Sequence, residues 1–515
     1  MNIASFLEHW SIVENPFRAE EARHDPVFAR LGSGPMSHPD FEKFVGDLAR
    51  PSTAIVFGEK GSGKTAIRLQ LADRVRHYNA EHPASRVLLI GYDDLNPMLD
   101  RVCERQGVGA SSEAREVSDA LKAVRLADHL DALLHLATAP LVDRVLGQGR
   151  EGSVEIDLGD NPARELRRAE RSLKQDLLVL QAVYDRPESA GTRSRPLRRK
   201  IKAPMDSGAL LWNALVYLGW IVPAGVAFAS FKVDPGRSYI GHKTWLWLFL
   251  GVLALWLAVL AKKFLWDRWR LGRLGKRVWR ETRSVPRTPE AIAQALAPMP
   301  AEDRTRDVLP VDGSEETRYA MVARLRRVLG AFGYSGLLVV VDRVDEPVLV
   351  SGDPDRMRAV IWPMLSNKFL QQDGAGIKLL LPIELRHELF RESSQFFQEA
   401  RLDKQNMIER LSWTGATLYD LCNARLRACL KPGAEPIALI DLFEEDVTRQ
   451  DLVDALDQMH QPRDAFKLVY QCIQEHCSNV TDEQARWRIP RLVLEQVRKQ
   501  QSERVQMLFR GIRPA

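Results

Sequence analysis

The hydrophobic pattern of this 515-residue chain changes period several times along its length. Residues 53–57 form a short continuous apolar run, the pattern of a strand covered on both faces. A glycine-rich loop follows, and residues 66–78 then take the spacing of an amphipathic helix. Apolar runs at 86–91, 337–341 and 377–381 predict three further strands. Residues 112–146 and 161–184 read as amphipathic helices, and 316–329 as a helix leading into the 337–341 run. Residues 1–52 read as a helical lead-in and residues 401–515 as mostly helical. Strands alternating with helices predict an α/β fold with a parallel sheet. No internal repeat is visible.

Two stretches depart from the globular pattern. Residues 207–231 run for 25 positions without a charge, and residues 244–261 for 18. At 1.5 Å per residue the second is ~27 Å long, close to the thickness of a bilayer's hydrocarbon core. Only Asn213 and Pro223 interrupt the first. Eight of the twelve tryptophans fall between Trp212 and Trp279, and their amphipathic rings favour membrane interfaces. Core helices rarely run so long without charge. The pair therefore predicts a transmembrane hairpin over 206–262, with a buried hairpin in a soluble core as the weaker reading.

Composition narrows the class. With 45% hydrophobic and 27% charged residues the chain is neither disordered nor a polytopic transporter. The net charge is only +5, but it is unevenly placed. Residues 193–202 hold six basic residues and no acidic one; residues 262–283 hold nine basic and two acidic. These two collars sum to +13, which leaves the rest of the chain at −8. Both collars lie outside the apolar pair, so the positive-inside rule puts both on the cytoplasmic side and only about 232–243 outside. Basic collars also favour anionic lipid headgroups, with nucleic acid the weaker explanation. The five cysteines, Cys103, Cys422, Cys429, Cys472 and Cys477, are odd in number and loosely spaced, as in a reducing compartment. Cys472, His476 and Cys477 lack a second ligand pair and read as helix packing. The first ten residues carry no basic n-region or apolar h-region, so no cleavable signal peptide is expected.

The densest candidate chemistry follows the first strand. Gly58-Glu59-Lys60-Gly61-Ser62-Gly63-Lys64-Thr65 matches G-x4-G-K-[ST] between a strand and a helix. In such a loop Gly58, Gly61, Ser62 and Gly63 let backbone N–H groups close round a β-phosphate. Lys64 bridges the β- and γ-phosphates, and the Thr65 hydroxyl ligates Mg²⁺ at the helix N-terminus. The run at 337–341 ends in Asp342-Arg343-Val344-Asp345-Glu346. Asp342 is placed to hold the Mg²⁺ shell, and Asp345 or Glu346 to orient and deprotonate an attacking water. Glu346, at the strand's exit, is the first choice. The run at 377–381 leads into Pro382-Ile383-Glu384-Leu385-Arg386, where a polar side chain could sense a γ-phosphate; surface residues are the favoured reading. Neither a guanine-reading N-K-x-D nor an L-S-G-G-Q signature is present. Gln461-Pro462-Arg463-Asp464-Ala465-Phe466 opens a C-terminal helix.

Arg463 in that setting resembles the second-sensor arginine of the helical lid in AAA+ and STAND ATPases. The P-loop, the acidic strand end, the Arg-bearing lid and the apolar pair inserted between the two motifs together resemble the KAP-type P-loop NTPases, within the STAND and AAA+-like group. Asp342-x-x-Asp345-Glu346 also resembles the acidic box of NACHT-type STAND ATPases, with Arg343 in place of the usual small residue. Asn15-Pro16-Phe17 resembles the segment that packs by the adenine in related ATPases. The resemblance covers roughly residues 16–466. It implies an α/β P-loop NTPase core with a parallel sheet, a C-terminal helical lid, and an inserted two-helix transmembrane hairpin. The segments are then 1–205 with Walker A, 206–262 the hairpin, 263–400 with Walker B, and 401–515 the lid.

It also implies an ATPase using ATP and Mg²⁺, with Glu346, Asp345 and Lys64 as catalytic residues. Gly58, Gly61, Ser62, Gly63, Lys64, Thr65 and Arg463 would bind nucleotide, and Thr65 and Asp342 the metal. The expected role is a nucleotide-dependent conformational or assembly switch, with signalling or phage defence in bacteria as the associated settings. A homo-oligomer in the cell's inner (plasma) membrane is expected, two-pass, with the NTPase domain and both termini cytoplasmic; nucleic acid is not an expected partner. Two alternatives stay open: a nucleotide-gated scaffold with little turnover, which Arg343 beside Asp342 keeps alive, and an oligomeric pore. P-loop and Walker B must meet on one side of the membrane, which an even number of crossings permits.

Overall fold

The computed structural model describes residues 1–17, 22–31, 38–109, 111–149, 154–188, 191–203, 207–232, 242–481 and 486–509. The chain is α/β and divides into two compact units, residues 1–95 with 335–515, and residues 96–334. The stretch between the second and third strands is long enough to build a helical unit of its own.

In the first unit, five strands form one sheet: β1 (Ala54–Gly58), β2 (Arg86–Tyr92), β3 (Tyr334–Val341), β4 (Ala375–Pro382) and β5 (Asn406–Ile408). Their spatial order is β2-β3-β4-β1-β5. β1 pairs in parallel with β4 on one side and β5 on the other, with Ile55 opposite both Leu379 and Met407. β3 also pairs in parallel with β4, Val339 opposite Ile377. Every residue of β1 and β4 is buried, which is why these runs read as unbroken hydrophobic rather than alternating. Parallel strands open their carboxyl ends on one edge, where ligands of such sheets bind.

One core packs Phe41, Phe44, Ile67, Leu71 and Val75 onto the sheet residues Val56, Leu338 and Leu380. A second core joins the C-terminal helices to the chain's beginning, with Phe6, Ile12 and Phe17 among Leu418, Leu426, Leu456, Leu468 and Ile473. The lead-in is thus shared between both cores. All five cysteines are free and buried, and Cys472, His476 and Cys477 lie in the second core, as helix packing requires. Burial raises the Cys472 thiol to about 12.

The second unit, within residues 96–334, is helical. The expected helix over 112–146 is two, Ala114–Lys122 and Leu126–Leu146, and that over 161–184 is also two, Pro162–Arg168 and Arg171–Tyr184. Its interior is held by ion pairs. Arg318 and Asp131 are both fully buried, 3.2 Å apart, and the Tyr184 hydroxyl donates to Asp131 at 2.9 Å. Arg193 meets Asp143 at 2.7 Å and Asp185 at 2.8 Å. Burial raises the Asp131 carboxyl to about 6, against the opposing pull of Arg318.

The first apolar stretch is not one helix but two, Ser207–Leu218 and Ile221–Lys232. Pro223 has no N–H to give the Gly219 carbonyl, and its ring crowds that carbonyl, so the helix breaks one turn earlier, at Gly219–Trp220. The second stretch, His242–Ala261, lies antiparallel to it: Trp256 Nε1 donates to the Val216 carbonyl at 3.3 Å, and Lys262 Nζ sits 3.6 Å from the Trp212 ring centroid. Continued through a π-helical turn at Lys262–Asp267, the 38-residue helix Thr244–Glu281 is the one described helix long and apolar enough to cross a membrane, and none of its apolar window is buried. The stretch joining the two, 233–241, lies outside the described residues.

Candidate functional site: the carboxyl edge of the sheet

A cleft of about 650 Å³ opens above the carboxyl ends of β1, β3 and β4 in the first unit. Its floor is the loop between β1 and the helix Lys64–Glu81. That loop folds only with glycine at two points: Gly61 has φ 101° and Gly63 φ 99°. A Cβ on Gly61 would also come within 3.0 Å of the Arg463 Cβ. Ser62 is buried, its Oγ donating to the Glu59 carbonyl at 2.8 Å, and Gly58 is the last residue of β1. Both therefore shape the loop from within. Trp413 Nε1 pins it from outside through the Ser62 carbonyl at 2.8 Å. The first-turn N–H groups of the following helix have no partner inside the helix and give its N-terminus an anion-attracting character.

Lys64 Nζ lies over this loop, donating to the Gly58 carbonyl at 2.6 Å and the Glu59 carbonyl at 3.0 Å. Desolvation lowers its pKa; Asp345, and then Asp342, oppose this most among the carboxylates. The Thr65 hydroxyl donates to Asp342 Oδ2 at 3.3 Å, bringing the two sequence motifs together across 277 residues of chain. Asp342 is almost fully buried at the end of β3, and desolvation raises its pKa while Arg68 and Lys64 hold it down.

The structure adds residues that no sequence motif marks. Arg68, one turn into the helix Lys64–Glu81, reaches Asp342 Oδ2 at 3.4 Å and Asp93 Oδ2 at 3.0 Å. Arg23 also pairs with Asp93. Glu59 pairs with Arg410 at 2.7 Å and with the side chain of Gln461. Glu384, just past β4, is an exposed residue on the wall of the same cleft. Arg23, Arg68, Asp93 and Arg410 come from separate stretches of chain, so spacing alone does not reveal them.

The acidic pair divides. Arg343 sits in the left-handed region at φ 61°, and its Nε meets Glu346 Oε2 at 2.9 Å, leaving Glu346 46% exposed. Asp345 is turned inward and is the carboxylate that acts most on Lys64. Arg343 thus pairs with Glu346, and the guanidinium on Asp342 is that of Arg68.

The C-terminal helix Pro462–Asn479 brings Arg463 over Gly61, with its Nε buried and without a hydrogen-bond partner among the described residues. Phe466, Phe28, Leu31 and Leu421 make the cleft's apolar side. Phe17 stands behind that side, 6.2 Å from Phe466 between ring centroids, and the Pro16 carbonyl accepts from Arg425 Nε at 2.6 Å. Asn15-Pro16-Phe17 therefore supports the apolar side rather than lining it.

The donor set suits Mg²⁺. A hydroxyl and one buried carboxylate converge, and among the described residues no cluster of three or more His, Cys, Asp or Glu stands ready for a softer or more fully caged metal. Mg²⁺ takes few protein oxygens and completes its shell with waters and phosphates. No family model, no curated protein and no solved structure matches this chain.

Proposed function

We propose that the chain is a membrane-anchored P-loop ATPase that works as a nucleotide-dependent conformational or assembly switch. The observation that carries this reading is the meeting of Thr65 and Asp342 at 3.3 Å beside Lys64, at the carboxyl edge of a parallel sheet. In this reading the loop amides and Lys64 hold the β- and γ-phosphates, the apolar side of the cleft takes the base, and Thr65 and Asp342 hold Mg²⁺, which spreads the phosphate charge when bound. Asp345 is the better candidate to align the attacking water, because it is the carboxylate that acts most on Lys64, while Glu346, on the same cleft wall, is paired with Arg343. Arg463 belongs to the helical lid, and its unpartnered Nε gives the γ-phosphate a contact that changes on hydrolysis. The exposed apolar helices, flanked by the collars, anchor the protein as a two-pass hairpin with the ATPase and both termini in the cytoplasm. The resemblance to KAP and STAND ATPases adds homo-oligomeric assembly and a bacterial signalling or defence setting.

Single-turnover hydrolysis by the detergent-purified protein tests the reading. Wild type should hydrolyse MgATP, and Asp345→Asn should bind it but lose about 10²–10⁴-fold in rate. Equal, very slow turnover in both would favour the second reading, a nucleotide-gated scaffold. Arg68 on Asp342 is the observation that favours it, since that guanidinium competes with Mg²⁺ for the same oxygen.

A further inference from the structure

Within the helical unit a second cavity of about 810 Å³ lies between three helices: Ser194–Lys200, Arg268–Glu281 and Pro289–Leu296. Both basic collars contribute to it. Arg195, Arg198 and Arg199 share one face of the first helix, and Arg268 and Lys276 one face of the second. Among the described residues Glu290 is the single carboxylate on its wall. None of the five cations makes an ion pair with a described residue. Carboxylates are not scarce in this unit, where Arg193, Arg287 and Arg318 are each paired. Arg198 is the most enclosed of the five. One guanidinium nitrogen donates to the Pro298 carbonyl at 3.1 Å; the other, Nη1, is sealed from solvent without a partner among the described residues. A donor nitrogen shut off from water without an acceptor costs free energy, and a bound anion would supply that acceptor.

The cavity's floor is apolar. Leu271, Ala293 and Gly272 line it, and a Cβ on Gly272 would meet nothing within 4 Å. Gly275, by contrast, lets the two helices touch, since a Cβ there would lie 2.5 Å from the Pro289 carbonyl. A basic rim over an apolar floor suits an amphiphile better than a bare inorganic ion. Depth agrees. Phe264, Leu265, Trp266 and Trp269 are all exposed, and Arg268 lies among them between Asp267 and Trp269, where a helix leaving the hydrocarbon core reaches the headgroup layer.

We infer that this cavity binds the phosphate of an anionic phospholipid, held by Arg198, Arg268 and Lys276 with its glycerol portion on the apolar floor. The inference rests on the membrane anchorage proposed above and is independent of the ATPase reading.

The test uses the full chain in nanodiscs of phosphatidylcholine with a minor share of phosphatidylglycerol, followed by native mass spectrometry of the lipid retained. Wild type should keep phosphatidylglycerol selectively. Arg268→Gln/Lys276→Gln should weaken retention about 20–30-fold, since each basic residue near an anionic surface contributes roughly 1 kcal/mol. Both positions are solvent-exposed, so folding should survive. Lys262→Gln/Lys263→Gln, which alters the same collar outside the cavity, should change retention little. Equal losses in the two double variants would overturn the site in favour of diffuse attraction. Calorimetry with glycerol 3-phosphate supplies the soluble arm: binding as tight as the lipid's would overturn the lipid assignment. Failure of the membrane reading is separately visible, because the wild-type chain would then not co-elute with nanodiscs.

Discussion

Lys378 is fully buried in the middle of β4, opposite Ala54 of β1 and Val340 of β3. Its Nζ donates to the carbonyls of Phe44 and Val45, at the end of the helix Phe41–Val45. Two carbonyls need two N–H donors, which a neutral amine supplies. Burial lowers its pKa from 10.5 to about 7. The folded-state value is thus depressed below the unfolded one, and between pH 7 and 10.5 the unfolded chain binds the extra proton. Stability must rise with pH across that window, by about 1.4 kcal/mol per unit for this group, and level off above it. Lys378→Met keeps the shape and removes the titration, while leaving the two carbonyls short of a donor at a cost of about 1–3 kcal/mol. Urea unfolding of both proteins in mild detergent, at pH 7.5 and 9.5, isolates the effect by difference. Wild type should gain about 2–3 kcal/mol on the variant over those two units. A difference that stays constant with pH would refute the argument.

In the other unit, Arg318→Met leaves Asp131 buried without its counter-ion and should cost about 3–5 kcal/mol, whereas the double variant Arg318→Met/Asp131→Leu should recover much of it; denaturant unfolding reads both. Gly61→Ala places a Cβ at positive φ and against Arg463, so MgATP affinity should fall by at least about tenfold while expression stays normal. Leu255→Arg puts a charge near the centre of the exposed apolar helix and should raise the free energy of membrane insertion by about 2.5–3.5 kcal/mol, read as a loss of membrane-fraction protein.

The motifs and their elements were legible because they are local. β1, its glycine-rich loop and the helix Lys64–Glu81 follow one another within 28 residues, and β3 announces itself by an unbroken apolar run. β5 was not legible: three residues, Asn406–Ile408, carry no period. Pro223 was visible as an interruption, but its effect one turn earlier is a backbone consequence that hydropathy does not display. Arg68, Asp93 and Trp413 join the site through the tertiary fold alone. The same holds for the acidic pair, where Arg343 takes Glu346 as its ion-pair partner and Asp345 is the carboxylate that acts most on Lys64.

In the proposed function Lys64 holds MgATP in this cleft; among the described residues its hydrogen bonds run to its own loop. Equilibrium binding of a fluorescent ATP analogue to wild type and Lys64→Ala, each purified from membranes in the same detergent, tests it most directly. Loss of a buried charged contact predicts a fall in affinity of about 2–5 kcal/mol, roughly 30- to several-thousand-fold, with membrane insertion unchanged. Wild-type affinity in Lys64→Ala would contradict the account.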